Sequence, residues 1–173
     1  MSASLLKKYD EIEKIKDRLL QKVKDLSPEK LNYSPAEGQW SPGQILFHVY
    51  YSESGTIKVI AKNLAGNKVT LRADITGWIR NVLLIVLLRS PIKFKAPVVA
   101  SKVPDSISQE ELKNLFGKNN TEFRKILDEL PKELEDKFIF KHPAGGLFTI
   151  SQTLNFVREH YLHHEAQLNR LLK

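Results

Sequence analysis

Apolar residues recur three or four positions apart in four long stretches, the spacing of helices with one buried face. In residues 4 to 26 the set is Leu5, Tyr9, Ile12, Ile15, Leu19, Val23 and Leu26, with lysines and acids between them, and Ser27-Pro28 ends the helix. Residues 27 to 40, with Pro28, Pro35 and Gly38, are expected as loop. A second helix is predicted over 42 to 64. Ser41 is its N-cap, Pro42 suits its first position, and Gln44 completes a capping box. A third, over 108 to 130, is capped by Ser108 with Glu111 and carries Leu112, Leu115, Phe116, Phe123, Ile126, Leu127 and Leu130. After an expected loop over 131 to 148, Thr149 and Gln152 form another capping box, and a fourth helix runs over 150 to 172.

About forty residues separate the second and third helices, far more than a helical hairpin needs. Within them, residues 72 to 89 predict an extra helix carrying Ile75, Trp78, Ile79, Val82, Leu83, Val86 and Leu87. It is apolar nearly all round, so it is expected to be buried, either in the fold or in a dimer contact. Residues 91 to 107 are expected as extended loop. Four main helices of similar length predict an all-α four-helix bundle in which this crossover, with its extra helix, joins the second helix to the third.

Composition narrows the chemistry. At 173 residues, 42% hydrophobic and 27% charged, the chain is expected to form one domain, residues 1–173. It has no cysteine, so thiolate metal sites, disulfides and cysteine nucleophiles are excluded. The N-terminus has no apolar signal core, and the run from Val82 to Leu88 is too short to span a bilayer, so a cytoplasmic location without membrane contact is expected. The net charge of +7 comes from lysines scattered among acids, as between Lys14 and Lys24. No basic stripe or known motif supports a nucleic-acid partner.

Three of the five histidines fall between residues 160 and 164. His160 and His164 lie one turn apart on the helix face that also carries Thr153, Val157, Leu168 and Leu171. Two imidazoles at this spacing can hold one metal ion, given a further ligand. His48 lies on an apolar face of the second helix with Ile45, Ser52, Gly55 and Val59. It is either a hydrogen-bonded core histidine or that further ligand. Ser52 and Gly55 either let helices pack closely or leave room for a ligand beside His48. If the second and fourth helices are antiparallel, His48 and His164 reach similar heights, and a three-histidine site is permitted. Glu159 and Glu165 point about 100° away from their neighbouring histidines and read as supporting or surface residues. His163 is a pocket acid–base or a surface histidine. His142 rims the pocket or shapes its turn.

Three segments together resemble the DinB-like (DinB/YfiT-type) metalloenzyme superfamily: Trp40-Ser41-Pro42-Gly43-Gln44-Ile45-Leu46-Phe47-His48, His142-Pro143-Ala144-Gly145-Gly146-Leu147-Phe148-Thr149, and His160 through Leu168. Their order and separation match the family from end to end. The resemblance implies an up-down-down-up bundle and a divalent metal, zinc or nickel, held by His48, His160 and His164. It also implies a homodimer. Some relatives are thiol-dependent transferases and others are metal-dependent hydrolases. The expected function is metal-dependent transfer of a low-molecular-weight thiol to a small electrophile. Arg89, Lys93, Lys95 and Lys102 are candidates to attract the carboxylates of such a thiol. The alternatives are hydrolysis by water activated on the ion, or a non-catalytic stress-related binding role.

Overall fold

The computed structural model describes residues 1–66, 79, 82–86, 89, 103–142 and 145–173. Five helices carry most of them: α1 (Ala3–Val23), α2 (Pro28–Asn32), α3 (Pro42–Ala65), α4 (Gln109–Glu129) and α5 (Ile150–Leu171). The four long helices form a bundle in which α1 packs on α4 and α5, and α3 packs on the same two. α1 and α5 run in the same sense, because Lys8, Glu11 and Arg18 meet Ser151, Arg158 and Glu165 in ascending order. α1 and α4 run oppositely: Tyr9 reaches Asn120, while Val23 and Leu26 receive the Gln109 amide. α3 begins beside the segment entering α4, where Gln44 donates to the Pro104 carbonyl. It ends beside the strand preceding α5, where Asn63 donates to the Ile139 carbonyl.

Four short elements lie in stretches expected as loop. Ser27 and Pro28, which end α1, also start α2: Ser27 Oγ accepts from the Lys30 N–H, and Pro28 takes a position needing no N–H donor. A 3-10 turn, Lys132–Leu134, follows α4. Strands β1 (Phe140–His142) and β2 (Gly146–Phe148) pair antiparallel, with Phe140 opposite Phe148 and His142 opposite Gly146. Three-residue strands are too short to display alternation. Gly146, at φ 80°, occupies the left-handed region that glycine enters without steric cost.

The expected helix over 72 to 89 falls largely outside the described residues, as does most of the loop over 91 to 107. Ile79, residues 82–86 and Arg89 are helical. Of the two expected ways of burying this face, the fold covers only part of it. Leu84 packs against the core, but Ile79, Leu83 and Val86 are 46%, 62% and 60% exposed. The segment presents one side to the bundle and an apolar stripe to the outside.

The α3 face also needs correction. Gly55 and Val59 are exposed, Ser52 is half-buried, and a Cβ on Gly55 would meet no atom within 4 Å. Close packing does not explain that glycine. The buried side of α3 is centred on Val49, Glu53, Ile57 and Ile60, about a third of a turn from His48. His48 lies at the edge of the core-facing side, so residues stacked directly above it fall outside the core.

The caps and the core make separable contributions. Thr149→Ala removes one cap hydrogen bond and should cost ~1 kcal/mol, whereas Phe123→Ala empties a fully buried site and should cost about 3–5 kcal/mol. Urea unfolding monitored by circular dichroism measures both, and equal losses would contradict this division.

Candidate metal centre

Two capped helix starts set the heights of the site. At α3, Ser41 Oγ accepts from the Gln44 N–H at 3.2 Å, and Gln44 Oε1 accepts from the Ser41 N–H at 3.1 Å. His48 follows in the second turn. The Trp40 indole, just before the cap, packs against its ring with centroids 4.8 Å apart. At α5, Thr149 Oγ1 accepts from the Gln152 N–H, and Gln152 Oε1 accepts from the Thr149 N–H. His160 and His164 then project from α5 toward His48.

The three rings converge through their Nε2 atoms. His160 Nε2 lies 3.3 Å from that of His48 and 3.2 Å from that of His164. Zinc–nitrogen bonds of about 2.0–2.1 Å in a tetrahedron place ligand nitrogens about 3.3–3.4 Å apart. The spacing therefore fits a single divalent ion. The tautomer of His164 adds chemical support. Its Nδ1–H donates to Gln167 Oε1 at 2.8 Å, which leaves Nε2 with a lone pair aimed at the convergence point. His160 Nε2 carries at most one proton, so at most one of its two contacts can be a hydrogen bond. A cation between the rings would satisfy all three nitrogens at once.

Packing holds the rings in place. Phe156 stacks on His160 at 5.7 Å and 15°. His48 and His164 are buried, while His160 keeps part of its surface accessible despite the protein surrounding it. Burial, with His164 and His48 beside it, pushes the His160 pKa well below the ordinary histidine value. Burial, helped by His48, lowers His164 to about 3. Neutral imidazoles are the form that binds a metal. Three of them leave a dication its full charge and an open coordination position, which suits polarising water or binding an anionic nucleophile.

The remaining candidates divide. His163 is half-buried with its ring edge-on to His164, centroids 5.0 Å apart. His142 stacks on Phe148 and meets Phe156 at 4.5 Å, so it joins the same aromatic cluster one ring away from His160. Its Nδ1 accepts from the Gly145 N–H, and burial lowers its pKa to about 4. Ser52 is half-buried, and Gly55 faces open space. Glu159 is buried and outside the triad. Arg89 grips it through two 2.7 Å hydrogen bonds, and Arg158 bonds to it and to Glu11. Glu165 pairs with Arg18 of α1. Lys93, Lys95 and Lys102 lie outside the described residues. Sequence reasoning missed Trp40, Phe156 and Gln167 as supports. Gln167 had a visible signal, since it lies three positions past His164 on the same helix.

The model of the DinB superfamily matches residues 11–168. The chain belongs to the DinB superfamily. No curated protein matches the DinB-superfamily chain described here. Among solved structures it is similar to YfiT from Bacillus subtilis, described as a probable metal-dependent hydrolase with an unusual four-helix bundle topology. That likeness has a TM-score of 0.52 at 18% identity, over 99% of this chain and 87% of the other. At this identity it speaks for the shared fold.

The lowered histidine pKa values carry a pH signature. Unfolded histidines take up protons near pH 6.5, whereas buried His160, His164 and His142 resist protonation until well below that. Below about pH 6.5 the unfolded chain binds more protons, so stability falls with pH. Metal-free protein should melt at a lower temperature at pH 5 than at pH 7.5, above the carboxylate range. Equal melting temperatures would contradict it.

Proposed function

We propose that this protein is a divalent-metal-dependent enzyme acting on a small molecule, with His48, His160 and His164 holding zinc or nickel. The observation that carries the reading is that the His160 Nε2 lies 3.3 Å from that of His48 and 3.2 Å from that of His164, with all three ligand atoms within 4.8 Å of one another. When bound, the ion would supply Lewis acidity and lower the pKa of a coordinated nucleophile. The chain's own residues orient the site: Gln167 fixes the His164 tautomer, and Trp40 and Phe156 hold the rings of His48 and His160. Hydrolysis is the first reading, supported by the description of YfiT. Thiol transfer is the second. Glu159 and Glu165, the carboxylates nearest in sequence to the ligands, are both engaged by arginines, and a thiol that ionises on binding needs no such base. Arg89, gripped by Glu159, is a poorer candidate for attracting a thiol's carboxylates than its sequence position implies.

Metal titration of stripped, untagged protein should give one zinc or nickel ion per chain. His160→Ala should abolish that binding while far-UV circular dichroism retains the helical signal. Loss of helix in the variant would make the site structural instead. Loaded wild-type protein is then assayed against esters and amides, and against small electrophiles with and without low-molecular-weight thiols. Turnover only with thiol selects transfer over hydrolysis.

The proposal includes a cytoplasmic homodimer. Its support is the exposed stripe of Ile79, Val82, Leu83 and Val86, spaced so that one helix face carries all four. A second copy would cover it. Sedimentation should show a dimer at micromolar concentration, and Leu83→Glu with Val86→Glu should shift it to monomer. A wild-type monomer would sink this part.

A further inference from the structure

A second polar cluster lies in the bundle interior, apart from the histidines. Its centre is Glu53 of α3, whose side chain is 1% exposed, as is that of Lys16 of α1. Lys16 Nζ lies 2.7 Å from Glu53 Oε1, a charge contact off the axis of a directed hydrogen bond. The same ammonium donates to Glu13 Oε1 at 2.8 Å and to Asn120 Oδ1 of α4 at 2.7 Å. The other Glu53 oxygen, Oε2, accepts from Asn119 of α4 at 2.9 Å and from the Tyr161 hydroxyl of α5 at 3.0 Å. Glu53 thus touches a side chain from each of the other three long helices.

Two of these residues adjoin the metal-site candidates. Tyr161 directly follows His160, and Glu53 lies five residues beyond His48 on α3. Apolar packing is non-directional, and packed helices can settle in alternative registers separated by a turn of about 5.4 Å. Hydrogen bonds of 2.9–3.0 Å have no such latitude. A buried ion pair is weak evidence for stability, since apolar residues of similar volume often do as well or better. Its best-attested use is to specify register.

We infer that the Lys16–Glu53–Tyr161 cluster is a register key that sets the height of α3 against α5, and so brings His48 to His160 and His164. Glu53 and Tyr161 are positioning residues for the metal site. This rests on the metal-binding reading above only for its affinity readout. The key acts on the rings whether or not an ion is bound.

The test separates position from stability. The triple variant Lys16→Met/Glu53→Leu/Tyr161→Phe removes the Lys16–Glu53 charge pair and the hydroxyl that would otherwise be stranded, while Glu13, whose side chain is 24% exposed, keeps access to water. It should stay folded, melt within a few degrees of wild type or above it, and bind zinc at least tenfold more weakly. Tyr161→Phe alone cuts only the tie to α5 and should weaken zinc binding with little change in melting temperature. Leu127→Ala, a fully buried core control about two turns beyond Asn120 on α4, should lower melting temperature and leave zinc affinity unchanged. In metal-free protein, nuclear Overhauser contacts between the His48 and His160 rings, whose centroids are 5.2 Å apart, should be present in wild type and lost in the triple variant.

Wild-type zinc affinity or intact ring contacts in the triple variant would overturn the inference. So would a triple variant that unfolds while Tyr161→Phe binds zinc like wild type, since the cluster would then be a stabiliser. If wild type itself binds no metal, the metal reading fails, and the ring contacts alone decide whether the key exists.

Discussion

α3 and α5 must stand at the right height relative to each other, within a few tenths of an ångström. The Nε2 atom of His160 meets partners from two helices at 3.3 and 3.2 Å, and those helices are separated by more than eighty residues of chain. One α-helical residue rises about 1.5 Å, so a slip of a single residue would dissolve the convergence. Hydrophobic burial gives the bundle its cohesion but does not set height at that resolution. Directed polar contacts do: capping boxes fix where α3 and α5 begin, and the buried contacts of Glu53 fix how they lie against each other.

The interior therefore holds two polar groups with opposite chemical economies. At Glu53 the countercharge comes from inside the protein, with the Lys16 ammonium, shared with Glu13, on one oxygen and two neutral donors on the other. The Tyr161 phenol stays protonated far above its ordinary range, through burial and the adjacent carboxylate, so it remains a donor. The histidine cluster has no internal counter-charge among the three rings, and their lone pairs and protons cannot all be matched by one another. A closed network suits a structural joint. An electron-rich set of nitrogens left for an external cation suits a binding site.

Much of this was legible in the sequence. The four long helices followed from apolar periodicity, and three of their starts from Ser41-Pro42-x-Gln44, Ser108-x-x-Glu111 and Thr149-x-x-Gln152. The His160/His164 pair was legible because four residues is one helical turn. His48 needed the family resemblance to select between its two readings, since spacing within one helix says nothing about another. Lys16 and Glu53 were passed over although helical spacing carried a signal of their burial: Lys16 falls in line with Tyr9, Ile12, Leu19 and Val23, and Glu53 with Val49, Ile57 and Ile60. Only the tertiary arrangement shows that their partners are each other. The outward stripe at Ile79, Leu83 and Val86 was legible as apolar but its cover was not, because an apolar sequence cannot say whether its own chain or another covers it.

The surroundings of His160 complete the electrostatic picture. Glu159, the preceding residue, points away from the triad and is gripped by Arg89 and Arg158, and those contacts hold its carboxyl below the usual range. A free carboxylate here would compete with imidazole for any cation entering the site. Bound on both oxygens by guanidinium groups, it cannot swing in as a ligand without breaking short charge-assisted hydrogen bonds. The pairing keeps the donor set all-nitrogen, and it ties the helical residue Arg89 of the crossover to the same turn of α5 that carries His160. An all-imidazole face would leave a bound dication its full positive charge for a further ligand. That is the electrostatic requirement for activating a nucleophile that water alone would leave protonated.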